Sequence, residues 1–387
     1  MNVLVIDSAN LTSPYTHSLC DALIKNGCNL KLVSSKSTEF KKNYKLNLFS
    51  LIPTPKQNNF RSFTKFVKGI NHLIGLLRLT IYIQKNNVDI IHFQISPLPW
   101  LDRLFIGIFK KKSIIVGTIH NTTSFHGGAN FLQRLGFKSL IKNYDFYVVH
   151  TIYSMDILKK YFQIQSNKIL VINHPLFNSI KKTDYKKYND LKNGKLNILY
   201  FGTINKYKGV DTLIKAITLL DEPYLNQLKV TIAGKLLINK KNLLNSTTSK
   251  TINSFINWEL GWVDESTKKK LLFESHVIIL PYYHIDGSGV LADAFEYSLP
   301  IIASDIGGFR ELVINNEMGY LVNPKDPKKL SERIKKIIDN KTHLQKMSQN
   351  VNNKALKLES WDDIAKKIIG VYLSFNPKDN NYEQDQI

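Results

Sequence analysis

Short apolar, β-branched runs recur along the chain at residues 3–6, 29–33, 89–93, 113–119, 145–150 and 169–172. Runs of this length bounded by polar residues read as buried strands. Between several of them lie helix-length stretches at 18–25, 101–110 and 155–162. Alternation of this kind favours a parallel sheet covered by helices on both faces. The lysine-rich segment 178–196 offers little to bury and reads as a linker. A second series follows, with strands at 197–200, 230–233, 277–280 and 301–303 and helices after Gly209, Asp264, Ser288 and Pro327. The pattern therefore predicts an α/β chain of two like, Rossmann-like domains at 1–178 and 196–360, joined by 179–195 and followed by a terminal piece at 361–387. In that piece Trp361, Ile364, Ile368, Val371 and Tyr372 form an apolar stripe that must bury against another surface. The polar tail beyond Pro377 is expected to fray. Ligands of open α/β sheets sit beyond the carboxyl ends of the strands, so two such domains facing each other across a cleft make the strand ends the first places to look.

The length of 387 residues agrees with two domains, being more than one hydrophobic core usually fills. With 43% hydrophobic and 22% charged residues the chain is not of the disordered class. No window offers the roughly 18 uninterrupted apolar residues of a bilayer span. The start, MNVLVIDSAN, has no basic region ahead of its apolar run and reads as a first core strand, so a cytoplasmic protein is expected. Cys20 and Cys28 suit neither a disulfide scaffold nor a zinc site and are expected to be packing residues in a reducing compartment. The net charge of +22 is unevenly placed, because residues 1–178 hold 22 Lys/Arg against 7 Asp/Glu. Such a field attracts nucleic acid, anionic lipid or a pyrophosphate-linked ligand. The chain shows no zinc-finger spacing or RNA-recognition aromatic motif and its lysines are scattered, which argues against nucleic acid. Asp7-Ser8-Ala9-Asn10 follows the first strand in place of a glycine fingerprint, which argues against a nicotinamide-dependent oxidoreductase.

Two segments carry the chemistry. Gly202-Thr203-Ile204-Asn205-Lys206-Tyr207-Lys208-Gly209-Val210-Asp211 follows a predicted strand and leads into a helix at 212–219. Glycine lets the backbone approach a ligand closely, a helix amino end favours an anion, and a lysine there adds a full positive charge. Taken alone, this segment is equally well explained as a tight turn with solvated lysines. The second segment runs from Pro281 to Glu296 and places Gly287-Ser288-Gly289 at a helix start. Free backbone N–H groups backed by the helix dipole make a cradle for a diphosphate. Asp293, five residues after Ser288, is placed to accept hydrogen bonds from sugar hydroxyls. With the loop Ser304-Asp305-Ile306-Gly307-Gly308-Phe309-Arg310-Glu311 the combination becomes specific.

On these residues the sequence resembles the retaining GT-B glycosyltransferases of family 4, the glycosyl transferases group 1. The matching stretches are 202–211, Gly-Trp-Val-Asp-Glu at 261–265, 280–304 and Gly307-Gly308-Phe309-Arg310-Glu311. The resemblance implies a GT-B fold, with the C-terminal helix crossing back to the first domain. It implies a UDP- or GDP-linked sugar donor on the second domain, an acceptor mainly on the first, transfer with retention, and neither metal nor cofactor. Lys208 resembles the family's phosphate-binding lysine, and Ser288, Gly289, Val290 and Leu291 its clamp on the diphosphate and donor sugar, with Gly202 and Gly287 in the adjoining turns. Asp293 falls where a family glutamate contacts the ribose, seven residues before Pro300. Three departures stand out. Thr203 replaces an arginine common in relatives, leaving Lys206 as a substitute, and Asp293 is one methylene shorter than glutamate. The other glutamate position falls on Ile285, so Asp286, the nearest carboxylate, is given its role.

In the first domain, His120 and Asn121 end the strand 113–119. Given the resemblance, His120 is expected to hydrogen-bond the donor sugar or to assist proton movement from the acceptor hydroxyl; a structurally satisfied strand-end histidine is the plainer reading. His92 and Gln94 end another strand as weaker candidates, and His126, beside Gly127 and Gly128, is placed on an acceptor loop. Ser13-Pro14-Tyr15-Thr16 is read as the first strand-to-helix loop, with Tyr15 on the acceptor side. Residues 60–74 mix aromatic and basic residues at helical spacing, which suits either a core helix with a solvated lysine face or contact with an anionic membrane surface bearing a lipid-linked or glycan acceptor. The expected activity is hexosyl transfer in surface polysaccharide synthesis. A sugar-nucleotide epimerase of the same fold is the rival enzyme, and a non-catalytic relative or a nucleic-acid-binding protein the remaining alternatives.

Overall fold

The structure is a computed structural model that describes residues 1–10, 12–35, 43–49, 61–122, 131–178, 194–238 and 255–375. The chain divides into two compact units, one formed by Met1–Asn173 with the segment from Glu359 onward, the other by His174–Leu358. Of the expected linker, residues 179–193 lie outside the described residues.

The first unit is built on β1 (Asn2–Asp7), β2 (Asn29–Ser34), β3 (Lys45–Asn47), β4 (Ile90–Ile95), β5 (Ile114–Ile119), β6 (Phe146–Val149) and β7 (Ile169–Val171), in the order β3-β2-β1-β4-β5-β6-β7. Every neighbouring pair is parallel. Their near-continuous apolar sequences follow from burial on both faces. One face packs on Leu76, Leu79, Ile106 and Phe109, and the other on Leu19, Leu23, Ile364 and Ile368. Both cysteines are buried in that second layer.

The C-terminal helix Trp361–Ser374 belongs to this unit, begins with a Ser360–Asp363 capping box and packs against the helix Ser13–Lys25. Its Tyr372 hydroxyl lies 2.6 Å from His92 Nδ1, and Thr118 Oγ1 lies 2.7 Å from His92 Nε2. Burial pulls His92 down to about 3, so the ring is a neutral tie between helix and sheet. His92 therefore has a structural role.

The first helix starts at Ser13, not at 18, so Ser13–Thr16 form its opening turn and not a loop. The cause is Asp7, whose buried carboxylate accepts from the Thr12 amide at 3.3 Å, the Thr12 hydroxyl at 3.1 Å and the Thr16 hydroxyl at 3.2 Å. Pro14 suits a first turn, where its missing N–H costs nothing.

The helix Arg61–Lys85 runs well beyond the expected 60–74 and is two-faced. Val67, Leu76, Leu79 and Ile83 are buried, and Gly75 fits against the Phe49 ring, whereas Phe66, Leu73, Leu77 and Ile81 are exposed. By length and composition alone Phe66–Lys85 is apolar enough to cross a bilayer. Its buried face is committed to the unit's core, so it serves as an amphipathic cover.

The second unit carries β8 (Leu196–Phe201), β9 (Leu228–Gly234), β10 (Ile256–Leu260), β11 (Val277–Leu280), β12 (Ile301–Ser304) and β13 (Gly319–Val322), all parallel, in the order β10-β9-β8-β11-β12-β13. Strand order reverses between β8 and β11. A crevice for a ligand opens at such a switch point, beyond the carboxyl ends of the two strands. The segment 304–311, expected as a loop, contains the short helix Gly307–Leu312.

Candidate functional site

β8 ends at Phe201 and β11 at Leu280, and the two segments singled out in the sequence leave these neighbouring ends. Lys206–Lys208 form a single 3-10 turn, capped by the Asn205 side chain on the Lys206 amide at 2.7 Å. The turn ends at Gly209, which has φ +66°, and a Cβ there would stand 1.9 Å from the Pro281 carbonyl oxygen. Glycine is required both by the left-handed backbone and by the close approach. The Tyr283 amide donates to the Tyr207 carbonyl at 2.7 Å, and the Tyr283 hydroxyl donates to Asp211 at 2.6 Å. The two segments are thus sewn together.

This stitching delivers Lys208. Its Nζ donates to the Tyr282 hydroxyl at 3.2 Å and lies 4.8 Å from the centre of the same ring. A Cβ on Gly202 would stand 3.2 Å from that Nζ and 3.3 Å from Val290 Cγ2, and its φ of +113° is what calls for glycine there. The Ser288 side chain lies close enough to the Tyr282 hydroxyl to oppose the rise that burial imposes on its pKa. Tyr282 therefore links the lysine of one segment to the helix start of the other. Burial lowers the Lys208 pKa from its usual value, with Tyr207 opposing the shift. Among the described residues no carboxylate pairs with it.

Ser288 caps the helix Gly289–Glu296 by accepting from the Leu291 amide at 3.4 Å. The Gly289 and Val290 amides belong to the first turn, where no intrahelical acceptor exists. Gly289 is exposed and Gly287 half-buried, so the cradle opens to solvent, while Val290 and Leu291 are buried beneath it. Thr203 and Lys206 are exposed, and among the described residues no contact ties either side chain to the cluster.

Of the carboxylates, Asp293 lies on the helix Gly289–Glu296 itself and is near enough to the Tyr282 hydroxyl to raise its pKa. Asp293 is 8% exposed and pairs with Lys268 at 3.5 Å, on the flanking helix Glu265–Glu274. Burial pushes Asp293 up to about 6 against the pull of Lys268. Asp286 is 1% exposed, enclosed by protein and not presented to solvent. Arg310 is held by Asp305 at 2.7 Å within its own turn.

In the first unit, His120 and Asn121 follow the carboxyl end of β5 and line a pocket with Gln94, Ser96, Thr118 and Tyr144. His120 Nε2 lies 3.4 Å from Gln94 Oε1, and its Nδ1 lies 3.2 Å from His150 Nε2. Tyr15 is 3% exposed and stands edge-on to His120 at 5.0 Å, His150 at 5.1 Å and Trp361 at 5.1 Å. It supports the histidines from behind and is not placed to meet an acceptor directly. His126 lies outside the described residues. Tyr282 and His150 are the residues that sequence reasoning missed. Tyr282 stood inside the quoted run, and His150 ended a predicted strand; these positions were the only signals for them.

The family model for glycosyl transferases group 1 matches residues 181–354, and that for Glycosyltransferase Family 4 matches residues 13–176. An uncharacterized glycosyltransferase of Methanocaldococcus jannaschii is 23% identical over 192 residues, which are 50% of this chain and 48% of the relative. The capsular polysaccharide biosynthesis glycosyltransferase CapM of Staphylococcus aureus is 24% identical over 212 residues, 52% of this chain and 55% of the relative. The chain spans about half the length of these curated relatives. HepE of Anabaena, solved in complex with UDP and glucose, aligns with a TM-score of 0.73 at 14% identity over 97% of this chain and 100% of its own, a likeness of fold.

Gly209→Ala forces a side chain into the Pro281 carbonyl and a left-handed backbone. It should cost about 1–3 kcal/mol or more, read as a lower urea midpoint at unchanged slope.

Proposed function

We propose, for a chain that belongs to the group 1 glycosyltransferases and has their GT-B fold, that it transfers a sugar from a nucleoside diphosphate sugar to a hydroxyl of a glycan or lipid-linked oligosaccharide, with retention. The observation that carries this reading is the meeting of Lys208, Tyr282, Ser288 and the Gly289 and Val290 amides at the switch point between β8 and β11. An ammonium with no carboxylate partner among the described residues, set near the free amides of a helix start, is complementary to a diphosphate. As the donor's glycosidic bond breaks, negative charge grows on the departing diphosphate. Donors already in position stabilise it without reorganisation. We assign this neutralisation to Lys208 and the amides, with no metal ion and no cofactor. Asp293 is the proposed ribose contact, held by Lys268, and Lys206 stays a candidate at the rim.

The departing phosphate takes the acceptor proton in a front-face attack, and His120 hydrogen-bonds the sugar or helps move that proton. A UDP-linked donor is favoured by HepE, which was solved with UDP and glucose, and a surface polysaccharide acceptor by CapM, a capsular polysaccharide enzyme.

The helix Arg61–Lys85 supports a place on the cytoplasmic face of the cell membrane. Phe66, Leu73, Leu77 and Ile81 form an exposed apolar stripe, continued by Leu104 and Ile108 on the adjoining helix Pro99–Phe109. Lys68, Arg78, Lys85 and Arg103 are exposed on the same helices. Arg61–Lys85 contains no acidic residue, and in Pro99–Phe109 the single acid, Asp102, is buried against His72 at 2.7 Å. Apolar side chains ringed by unopposed cations fit an anionic lipid surface.

Lys208→Ala should lower turnover of the accepted donor by two orders of magnitude or more, roughly what is lost on removing one charge-stabilising donor, while UDP or GDP still raises the thermal midpoint of the wild type. Near-normal turnover of the variant would refute the assignment. Vesicles containing phosphatidylglycerol should carry the wild-type chain upward in flotation at low salt and lose Phe66→Ser/Leu77→Ser. Wild type that stays in the lower fraction would remove the membrane reading.

A further inference from the structure

Lys268 takes no part in the diphosphate cradle, yet it reaches the same site from the flanking helix Glu265–Glu274. Its Nζ lies 3.5 Å from Asp293 Oδ1 and 3.1 Å from Glu265 Oε2, and Glu265 is itself exposed. Asp293 stands one helical turn beyond the Gly289 and Val290 amides. Its carboxylate is near enough to the Tyr282 hydroxyl to raise that hydroxyl's pKa, and the same hydroxyl accepts from Lys208 at 3.2 Å. The pair therefore adjoins the cradle. Both side chains stay reachable from solvent, at 19% exposure for Lys268 and 11% for Asp293.

A carboxylate only accepts hydrogen bonds and an ammonium only donates them. Among the described residues Lys268 is the side chain that hydrogen-bonds the Asp293 carboxylate, which keeps further acceptor capacity. The ammonium gives hydrogen bonds to Asp293 and Glu265 and keeps a further N–H. An acceptor and a donor set side by side match a vicinal diol, in which one hydroxyl donates to the carboxylate while its neighbour accepts from the ammonium. Asp293 is one methylene shorter than a glutamate, and the lysine makes up that lost reach from the other side.

We propose that Lys268 is a ribose-binding residue, and that Lys268 and Asp293 together hold the vicinal diol of the nucleotide's ribose next to the diphosphate. Recognition then falls on the diol as a unit, so the site selects ribonucleotides over deoxy forms. Lys268 also keeps Asp293 in its ionised, accepting form. Burial, with Glu296 and Glu265 pushing the same way, holds that carboxyl up at about 6 against the pull of Lys268, and loss of the lysine drives it toward the neutral acid. The inference rests on the reading of the cradle as a nucleoside diphosphate site; what it adds is the second residue on the sugar of that nucleoside.

Calorimetric titration of the full chain at neutral pH with UDP and GDP, and with their 2′,3′-dideoxy forms, tests it. Wild type should bind the ribonucleotide roughly ten- to a hundredfold more tightly than its dideoxy form, the worth of a hydrogen bond to a charged group. Lys268→Met and Lys268→Ala should each bring that ratio to within about threefold, with the ribonucleotide weakened and the dideoxy form little changed. Lys268→Arg, which keeps a cationic donor, should retain the preference. A lysine that merely braces the two helices would weaken both nucleotides alike in Lys268→Met and Lys268→Ala and leave the ratio standing. That result, or a wild type without preference, would overturn the inference. Wild type that binds neither UDP nor GDP would instead refute the nucleoside diphosphate reading itself.

Discussion

An ammonium group set near a helix start, with no carboxylate partner among the described residues, is the constraint around which the strand ends of the second unit are arranged. Lys208 is half-buried, and the partial loss of water around its ammonium lowers its pKa. The Tyr282 hydroxyl and ring offset part of that cost. Gly209 closes the turn against Pro281, and Tyr283 ties the turn to the segment leaving β11. A diphosphate would supply the missing charge. Under the proposed reading, binding and local stability would be coupled at one point, at the strand ends where the sheet reverses its order.

The first unit solves a different problem, holding neutral polar groups in fixed orientations. His92 is tied by Tyr372 and Thr118, which joins the sheet to a helix nearly three hundred positions later in the chain. His120 and His150 form the second chain of rings, backed by Tyr15 and Trp361. The C-terminal helix supports both sets. The chain leaves this unit at Asn173 and returns at Glu359, so the packing behind His120 is completed by the last helix. On the outer side, Arg61–Lys85 gives one face to the core and leaves the other apolar and cationic.

Central strands were legible in the sequence because burial on both faces makes them continuous apolar runs. The strands that escaped notice, β3, β10 and β13, are three of the four sheet edges, where sequences such as Lys-Leu-Asn and Ile-Asn-Trp-Glu-Leu mix polar and apolar residues. The first helix was read late because the signal for its start is Asp7, several residues upstream, acting through Thr12 and Thr16. In the candidate site, glycine spacing and helix starts revealed Lys208 and Ser288. Tyr282 was hidden because its contact with Lys208 arises only when the fold brings the two segments together. Lys268, which holds Asp293, carries no local signal either. Asp286 was chosen as the nearest carboxylate in sequence, and it is buried.

The most direct test of the account is a crystal structure of the full chain with a nucleoside diphosphate bound. The account places phosphate oxygens within hydrogen-bond distance of Lys208 Nζ and of the Gly289 and Val290 amides, with the Tyr282 hydroxyl still beside the ammonium. A diphosphate seated elsewhere, or a Lys208 turned away from it, would contradict the central claim.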